Sequence, residues 1–282
     1  MKTSVWDLPL TAFAPVVWGS TYLVTTEFLS GFSPMTVAML RALPAGLLLM
    51  AIVRQMPTGI WWLRSFILGA LNISIFLSML FVAAYRLPGG VAGTVLSAQP
   101  LIVVFLASFL LASPVRPLAI IGALVGMGGV ALLVLTPSAA LDVIGIAAGL
   151  AGATSMALGG ILARKWRPPV SPLAFTAWQL TAGGLLLVPV VLLFEPSLPV
   201  PTASNLVGLA WLGLVGAALT YALWFRGIGR LDSSVVSSLL FLSPLTAVLL
   251  GWGLLGQTLT ALQIAGIALV IGSIWLSQRA NS

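Results

Sequence analysis

The chain has 282 residues, 60% of them hydrophobic and only 6% charged, with a mean hydropathy of +1.16. A water-soluble domain carries about 25% charged residues, so the composition excludes an ordinary soluble enzyme or binding module and makes the lipid bilayer the solvent. There is no cysteine and no histidine, which removes disulfides, thiol chemistry, the commonest metal ligand and the commonest acid–base group; no metal and no cofactor are expected.

Ten apolar runs approach the ~20 residues that cross a bilayer as a helix. They cover 8–28, 34–53, 65–85, 88–111, 117–135, 143–163, 171–194, 205–226, 232–254 and 260–277. Turn residues mark the breaks: Pro34 after Ser33, Pro57-Thr58-Gly59, Pro114 to Pro117, Pro137, Pro168-Pro169 and Pro196 to Pro201. The joints at Arg86 to Pro88 and Gly227 to Asp232 are short, so runs three and four, and eight and nine, form tight hairpins.

The order of elements repeats. Residues 87–101, LPGGVAGTVLSAQPL, have a copy 144 residues later at 231–245, LDSSVVSSLLFLSPL. At that offset Arg86 matches Arg230, Gly122 matches Gly266, and Gly128 matches Gly272. Earlier in each half the offset is 138: Ser33-Pro34 matches Ser171-Pro172, and Gly46 matches Gly184. Each copy holds five runs. Five is odd, so the second copy enters the membrane upside down, the inverted repeat of secondary transporters. The expected fold is an all-α integral membrane protein of ten transmembrane helices in two inverted repeats, 8–135 and 143–277.

Charge placement gives the orientation. With the N-terminus inside, Lys2, Arg54, Arg64, Arg116, Arg164, Lys165, Arg167, Arg226, Arg230 and Arg279 face the cytoplasm, and only Arg86 faces outward. This is the positive-inside bias of a membrane protein. It accounts for the net charge of +7 without a nucleic-acid partner.

Pro100 and Pro244 occupy matching places in mid-run, where proline deletes a helical hydrogen bond. Two broken helices in corresponding positions point to a transporter binding site, and the prolines are candidate hinges. Beside them, Gln99 and Ser243 are candidates to face a cavity. Arg41 is the one formal charge deep in a run. Such a charge costs about 2.5–3.5 kcal/mol on insertion scales and marks a functional site by default; its repeat partner, Gln179, is uncharged. Arg41 would meet a substrate carboxylate, unless carbonyls cap it in a structural role. Tyr22, Asn72 and Ser78 are further polar candidates, and Trp18, Tyr85, Trp178, Tyr221 and Trp224 offer rings for a ligand to stack on. Trp6, Trp61 and Trp62 read as an interfacial belt. The pair Gly122 and Gly126 reads as a helix-packing surface. No Asp, Glu or His lies deep in a run, so a buried proton carrier is not expected. Nothing reads GxxxxGK[ST], so ATP hydrolysis is not expected either.

These residues resemble a family. Trp18-Gly19-Ser20, then Ser33-Pro34 with Arg41, then Pro100 with Gly122 and Gly128, and a second set at Pro244, Gly266 and Gly272, are similar to the drug/metabolite transporter superfamily in its ten-helix branch with two EamA-type repeats. The resemblance covers essentially the whole chain. Within that branch the chain resembles bacterial exporters of aromatic and neutral amino acids. One departure is that many relatives carry a Gly-Glu pair where this chain has Ala112-Ser113 and Gly256-Gln257.

The resemblance implies a secondary transporter of the bacterial inner membrane that exports amino acids or similar small metabolites by alternating access, with a monomer as the working assembly. The alternative is a multidrug exporter of lipophilic cations, which would want an intramembrane carboxylate. A membrane enzyme would need a nucleophile–base pair or metal cluster, and without Cys or His none can be assembled.

The charge bias generates a first prediction: reporter fusions after Arg167 read cytoplasmic and fusions after Pro199 read periplasmic. The reverse readings would overturn the topology.

Overall fold

A computed structural model describes residues 4–87, 89–134, 142–196 and 198–280, apart from the side chains of residues 22, 84, 85 and 89–91. Among the described residues the chain is helical, without strands. Ten helices are long and apolar enough to cross a membrane. They are α1 Asp7–Phe28, α2 Pro34–Val53, α3 Trp61–Ala83, α4 Ala92–Leu111, α5 Pro117–Val134, α6 Val143–Trp166, α7 Pro172–Phe194, α8 Ala203–Ile228, α9 Ser233–Leu255 and α10 Ala261–Arg279.

The helix starts follow local chemistry. Ser171, Thr202 and Thr260 each accept a hydrogen bond from the backbone N–H three residues on, and Pro34 and Pro172 sit in the first turn of α2 and α7. A hydroxyl at the cap and a proline just inside satisfy or remove N–H groups that have no helical partner. The start of α2 is capped from elsewhere. Glu195, just past the end of α7, accepts from the N–H groups of Met35 and Thr36 at 2.7 and 2.6 Å, and from the Thr36 hydroxyl.

Two helix pairs form the frame, and each is a contact made twice. A Cβ added to Gly46 of α2 would lie 2.4 Å from the Thr181 nitrogen of α7, and one added to Gly184 of α7 would lie 2.6 Å from the Leu43 Cβ of α2. The offset of 138 carries Gly46 to Gly184 and Leu43 to Thr181. Helices α5 and α10 repeat the pattern at the offset of 144. A Cβ on Gly122 would meet Ser277 at 2.9 Å and the Ser273 carbonyl at 3.2 Å; one on Gly266 would meet the Gly129 carbonyl at 2.7 Å and Leu133 at 3.0 Å. Residue i touches j, and the copy of i touches the copy of j, as across a two-fold interface. Small residues allow this close approach where no hydrophobic force pulls helices together in lipid. Gly126 belongs to the same surface: its missing side chain is where the Phe241 ring sits.

Among the described residues, α1 is interrupted at Ser20, and four further helices depart from regular α geometry in two matching pairs. α4 breaks at Ser97-Ala98, and α9 tightens into a 3₁₀ turn at Leu239–Phe241. Both interruptions lie just before the prolines at 100 and 244. In α4 the Ser97 and Ala98 N–H groups reach back three residues, to Thr94 and Val95. The second pair is π-helical, Ala70–Ile75 in α3 and Trp211–Leu219 in α8. π turns are rare, and they shift carbonyls out of the regular ladder.

Opposite ends of the bundle carry related ion pairs. Arg230, after α8, lies 3.3 Å from Asp7 at the start of α1; Arg86, at the end of the α3 segment, lies 3.6 Å from Asp142 at the start of α6. Asp7 is fully buried and also meets Arg226 at 2.5 Å, whereas Arg86 and Asp142 are roughly half exposed. Asp7 sits in the first turn of α1, one residue before the first apolar run. The sequence reading did not place it inside the protein.

The packing yields a prediction. Gly46→Ala and Gly184→Ala each force an overpacked contact and destabilise by about 1–3 kcal/mol. Gly128→Ala and Gly272→Ala, where nothing lies within 4 Å of an added Cβ, are neutral or stabilising by up to about 1 kcal/mol. Thermal unfolding in detergent would show the two pairs of variants on opposite sides of the parent.

Candidate substrate site

The two halves place the same three positions together. In one half Arg41 of α2 meets Gly216 in the π segment of α8 and Thr21 of α1. Its Nη2 donates to the Gly216 carbonyl at 2.7 Å, and its Nη1 lies 3.5 Å from the Thr21 hydroxyl. In the other half the offsets lead to Gln179 of α7, Asn72 in the π segment of α3 and Gly159 of α6. These three also meet: Asn72 Nδ2 donates to Gln179 Oε1 at 2.8 Å, and Gly159 leaves the space that the Asn72 amide fills.

The chemistry of the two nodes differs. Gln179 and Asn72 are almost fully buried and join two neutral amides. Gln179 Nε2 reaches the Phe175 carbonyl at 3.5 Å, while nearby Ser74 donates to the Gly183 carbonyl and Ser155 to the Leu71 carbonyl, each at 2.8 Å. The Leu71 carbonyl, within the π turn of α3, thus finds a hydroxyl partner inside the protein, as backbone at membrane depth requires, and Ser74 of the same turn ties it to α7. The Arg41 node holds a full charge that takes part in no ion pair among the described residues, and its Nε is buried without a partner among them. A buried donor left unsatisfied costs about 1–3 kcal/mol, more when charged. Gly216 serves the guanidinium through its carbonyl; a Cβ there would stand 3.9 Å from Nη2, an ordinary van der Waals contact.

Aromatic rings surround this charge. Trp18 donates from Nε1 to the Gly216 carbonyl at 3.1 Å and to the Thr220 hydroxyl at 2.9 Å. Its ring lies 5.1 Å from Tyr221 and 5.3 Å from Trp224. Tyr221 stacks on Phe225 at 5.9 Å, and a chain of rings continues through Phe175 and Trp61 to Trp178. Trp61 was expected in the interfacial belt, and this is corrected: it is buried in this chain, with the Arg64 guanidinium 5.0 Å over its ring. Trp6 and Trp62 remain exposed.

The sequence candidates therefore separate into groups. Arg41, Trp18, Tyr221 and Trp224 come together. Asn72 belongs to the amide node in the other half, and Trp178 donates to the Gln55 carbonyl at 2.7 Å at the far end of the ring chain. Ser243 packs against Gly19, whose added Cβ would lie 2.5 Å from the Ser243 carbonyl. Ser78 is half-buried on α3, apart from the node contacts. The side chains of Tyr22 and Tyr85 lie outside the described residues.

Gln99 lines a crevice of about 380 Å³, counted to its open mouth, between α4, α6, α8 and α9. Ala157, the copy of Gly19 at the 138 offset, stands beside it there. Trp224 borders this crevice and also touches Trp18, so crevice and ring cluster share a wall. The π segments were not visible in the sequence. The only trace was that Arg41 and Gln179 occupy equivalent positions.

Ten apolar helices, two π-broken spans and a part-buried arginine without a counter-ion among the described residues, beside an aromatic cluster, suit a multi-pass membrane transporter. The chain matches the model of the EamA-like transporter family over residues 6–135 and 143–278, and it belongs to that family. Protein PecM of Dickeya dadantii is 45% identical over 269 residues, covering 94% of this chain and 90% of PecM. The WAT1-related protein At3g02690, chloroplastic, of Arabidopsis thaliana is 28% identical, covering 96% and 68%. The Uncharacterized inner membrane transporter YedA of Escherichia coli K12 is 26% identical, covering 93% and 87%. A solved crystal structure superposes with a TM-score of 0.86 over 99% of this chain and 100% of that one, at 21% identity, a likeness of fold.

The amide node carries its own prediction. Asn72→Leu leaves the Gln179 carbonyl oxygen buried without a donor and lowers stability by about 1–3 kcal/mol. Joint replacement of Asn72 and Gln179 by Leu recovers part of that loss, which a thermal-unfolding double-mutant cycle reads directly.

Proposed function

We propose that the chain is a secondary transporter of the bacterial inner membrane that exports amino acids, with aromatic or neutral side chains, or similar small metabolites bearing a carboxylate. The observation that supports this reading is the inequality of the two nodes. One copy of the position is closed by an amide pair. The other keeps a guanidinium with a spare donor and no counter-ion, against Trp18, Tyr221 and Trp224. A carboxylate would take the Arg41 charge in charge-assisted hydrogen bonds, and a ring or apolar side chain would lie on the tryptophans.

A lone cation repels lipophilic cations, so the site disfavours a multidrug exporter of that class. The EamA-like membership and the YedA likeness support the membrane carrier. In this reading the two matched segments are inverted copies, both termini lie in the cytoplasm, and the site is reached alternately from each side about helices bent at Pro100 and Pro244. Transport runs down the substrate gradient. The one buried acid among the described residues of the bundle, Asp7, is held by two arginines and acts as their counter-ion rather than as a proton carrier.

Uptake of a labelled amino acid panel into proteoliposomes, with and without a pH gradient, tests this. The expected result is saturable counterflow of one or more aromatic or neutral amino acids that needs no pH gradient. Arg41→Gln is expected to weaken it by about tenfold or more, the loss of a charged hydrogen bond worth ~1.5–3 kcal/mol, without lowering the melting temperature. Accumulation driven by pH alone would show a coupling site that this account lacks. Equal transport by Arg41→Gln would remove the carboxylate role.

A further inference from the structure

The hairpin of α8 and α9 is gripped from both sides, and the two grips are unlike. On the α1 side, Asp7 is fully buried and takes Arg226 and Arg230, while its backbone carbonyl accepts the Thr11 hydroxyl at 2.6 Å. Gly227 closes this contact, because a Cβ there would meet Thr11 at 2.2 Å. On the α6 side, Arg164 reaches across to the hairpin. Its Nη1 donates to the Ile228 carbonyl at 3.1 Å and to the Leu231 carbonyl, and its Nη2 lies 4.0 Å from Asp232, whose side chain is more than half exposed.

Arg164 stands at one end of the crevice that Gln99, Trp224 and Ser237 line. A buried ion pair with two partners is costly to break, since it leaves charge stranded away from water. A partly exposed arginine on two helix-end carbonyls can exchange them for water at small cost. Any outward swing of the hairpin therefore pivots on the Asp7 grip and opens at Arg164. The 3₁₀ turn at Leu239–Phe241, ahead of Pro244, is the weak point in α9 where the hairpin can bend.

The offset of 138 places Thr26 where Arg164 would have its copy. The Thr26 side chain is shorter than that of Arg164, and its hydroxyl donates to the Leu23 carbonyl at 3.2 Å.

We infer that Arg164 is a strap: a positioning residue that holds the α8–α9 hairpin shut over the crevice and releases it to admit substrate to the ring cluster. The inference rests on the carrier reading for its purpose, but its test needs no substrate. The chain has no cysteine, so Ser237→Cys, buried on the crevice wall, serves as a single probe for a charged maleimide on the purified full chain. Ser273→Cys, fully buried on α10 with its carbonyl against Gly122 of α5, reports general loosening.

Adding Arg164→Gln is expected to raise the labelling rate at 237 by about tenfold, because labelling tracks the population of the open form, and to leave 273 unlabelled. Arg164→Lys, which keeps the charge toward Asp232 but not the forked reach to two carbonyls, is expected to fall between. Unchanged labelling at 237 would overturn the proposal and make Arg164 a static helix cap. Equal gains at 237 and 273 would also overturn it, because the variant would then be loosening the whole bundle. Either failure leaves counterflow through the Arg41 site to be judged on its own experiment.

Discussion

The hydrogen bond from Arg41 to the Gly216 carbonyl is the contact on which the rest of the site depends. It draws on a π turn in α8 that carries the carbonyl and on α2 held against α7 through Gly46 and Gly184. Remove any of these and the charge loses its seat in a bilayer that offers no water. The equivalent place in the other half shows what the fold does when no charge is needed. There a glutamine and an asparagine satisfy one another, and Gly159 gives up its side chain to fit them. The scaffold tolerates a quiet solution, and on one side it carries a costly one. The cost is the reason to assign function to Arg41 rather than to its copy.

The same logic orders the ends of the bundle. Arg86 and Arg230 are copies, and each reaches an acid at the start of a helix from the opposite half. The acids are not strict copies. At the offset of 138 Asp7 aligns with Gly145, three residues past Asp142, yet Ser4 and Asp7, like Asp142 and Gly145, are joined by a hydrogen bond across the first turn. The change of position carries the acid from a half-exposed cap into a buried niche with two arginines. The two ion pairs thus differ in burial and in number of partners, and the two hairpins, α3 with α4 and α8 with α9, need not open with equal ease.

Much of the fold was legible because lipid imposes a simple rule on sequence: about twenty apolar residues, then a turn. The runs 34–53 and 117–135 fall on α2 and α5 within one residue. The start of α3 was set four residues late, because Trp61, Trp62 and Arg64 read as an interface; Trp61 is instead a core ring that carries Arg64 on its face. Breaks before Pro100 and Pro244 were legible because proline has one backbone consequence wherever it stands. The π turns were not, since no residue type specifies them and they arise from how α3 and α8 pack. Half of the site was visible on that account. Arg41 stood out by charge, and Trp18, Tyr221 and Trp224 by ring. The distinction between Asn72, which is tied to Gln179, and Arg41, which keeps a free donor, needed the contacts. The burial of Asp7 was also hidden, because a carboxylate at the edge of an apolar run normally faces water.

The central claim is that the two nodes share a scaffold and differ in task. It is tested most directly by copying one onto the other. The triple variant Thr21→Gly, Arg41→Gln, Gly216→Asn rebuilds around α8 the amide pair that Gln179 and Asn72 form around α3. The space beside Gly216, where the nearest atoms to an added Cβ are Trp211 O at 3.6 Å and Arg41 Nη2 and Leu212 Cδ2 at 3.9 Å, has room for a Cβ without a clash. The account predicts a protein that melts at or above the parent temperature, with a buried charge replaced by a satisfied neutral pair, and that gives no counterflow of any substrate the parent carries. A folded triple variant that transports at the parent rate would contradict it, and Arg41 would then be a structural residue like its copy.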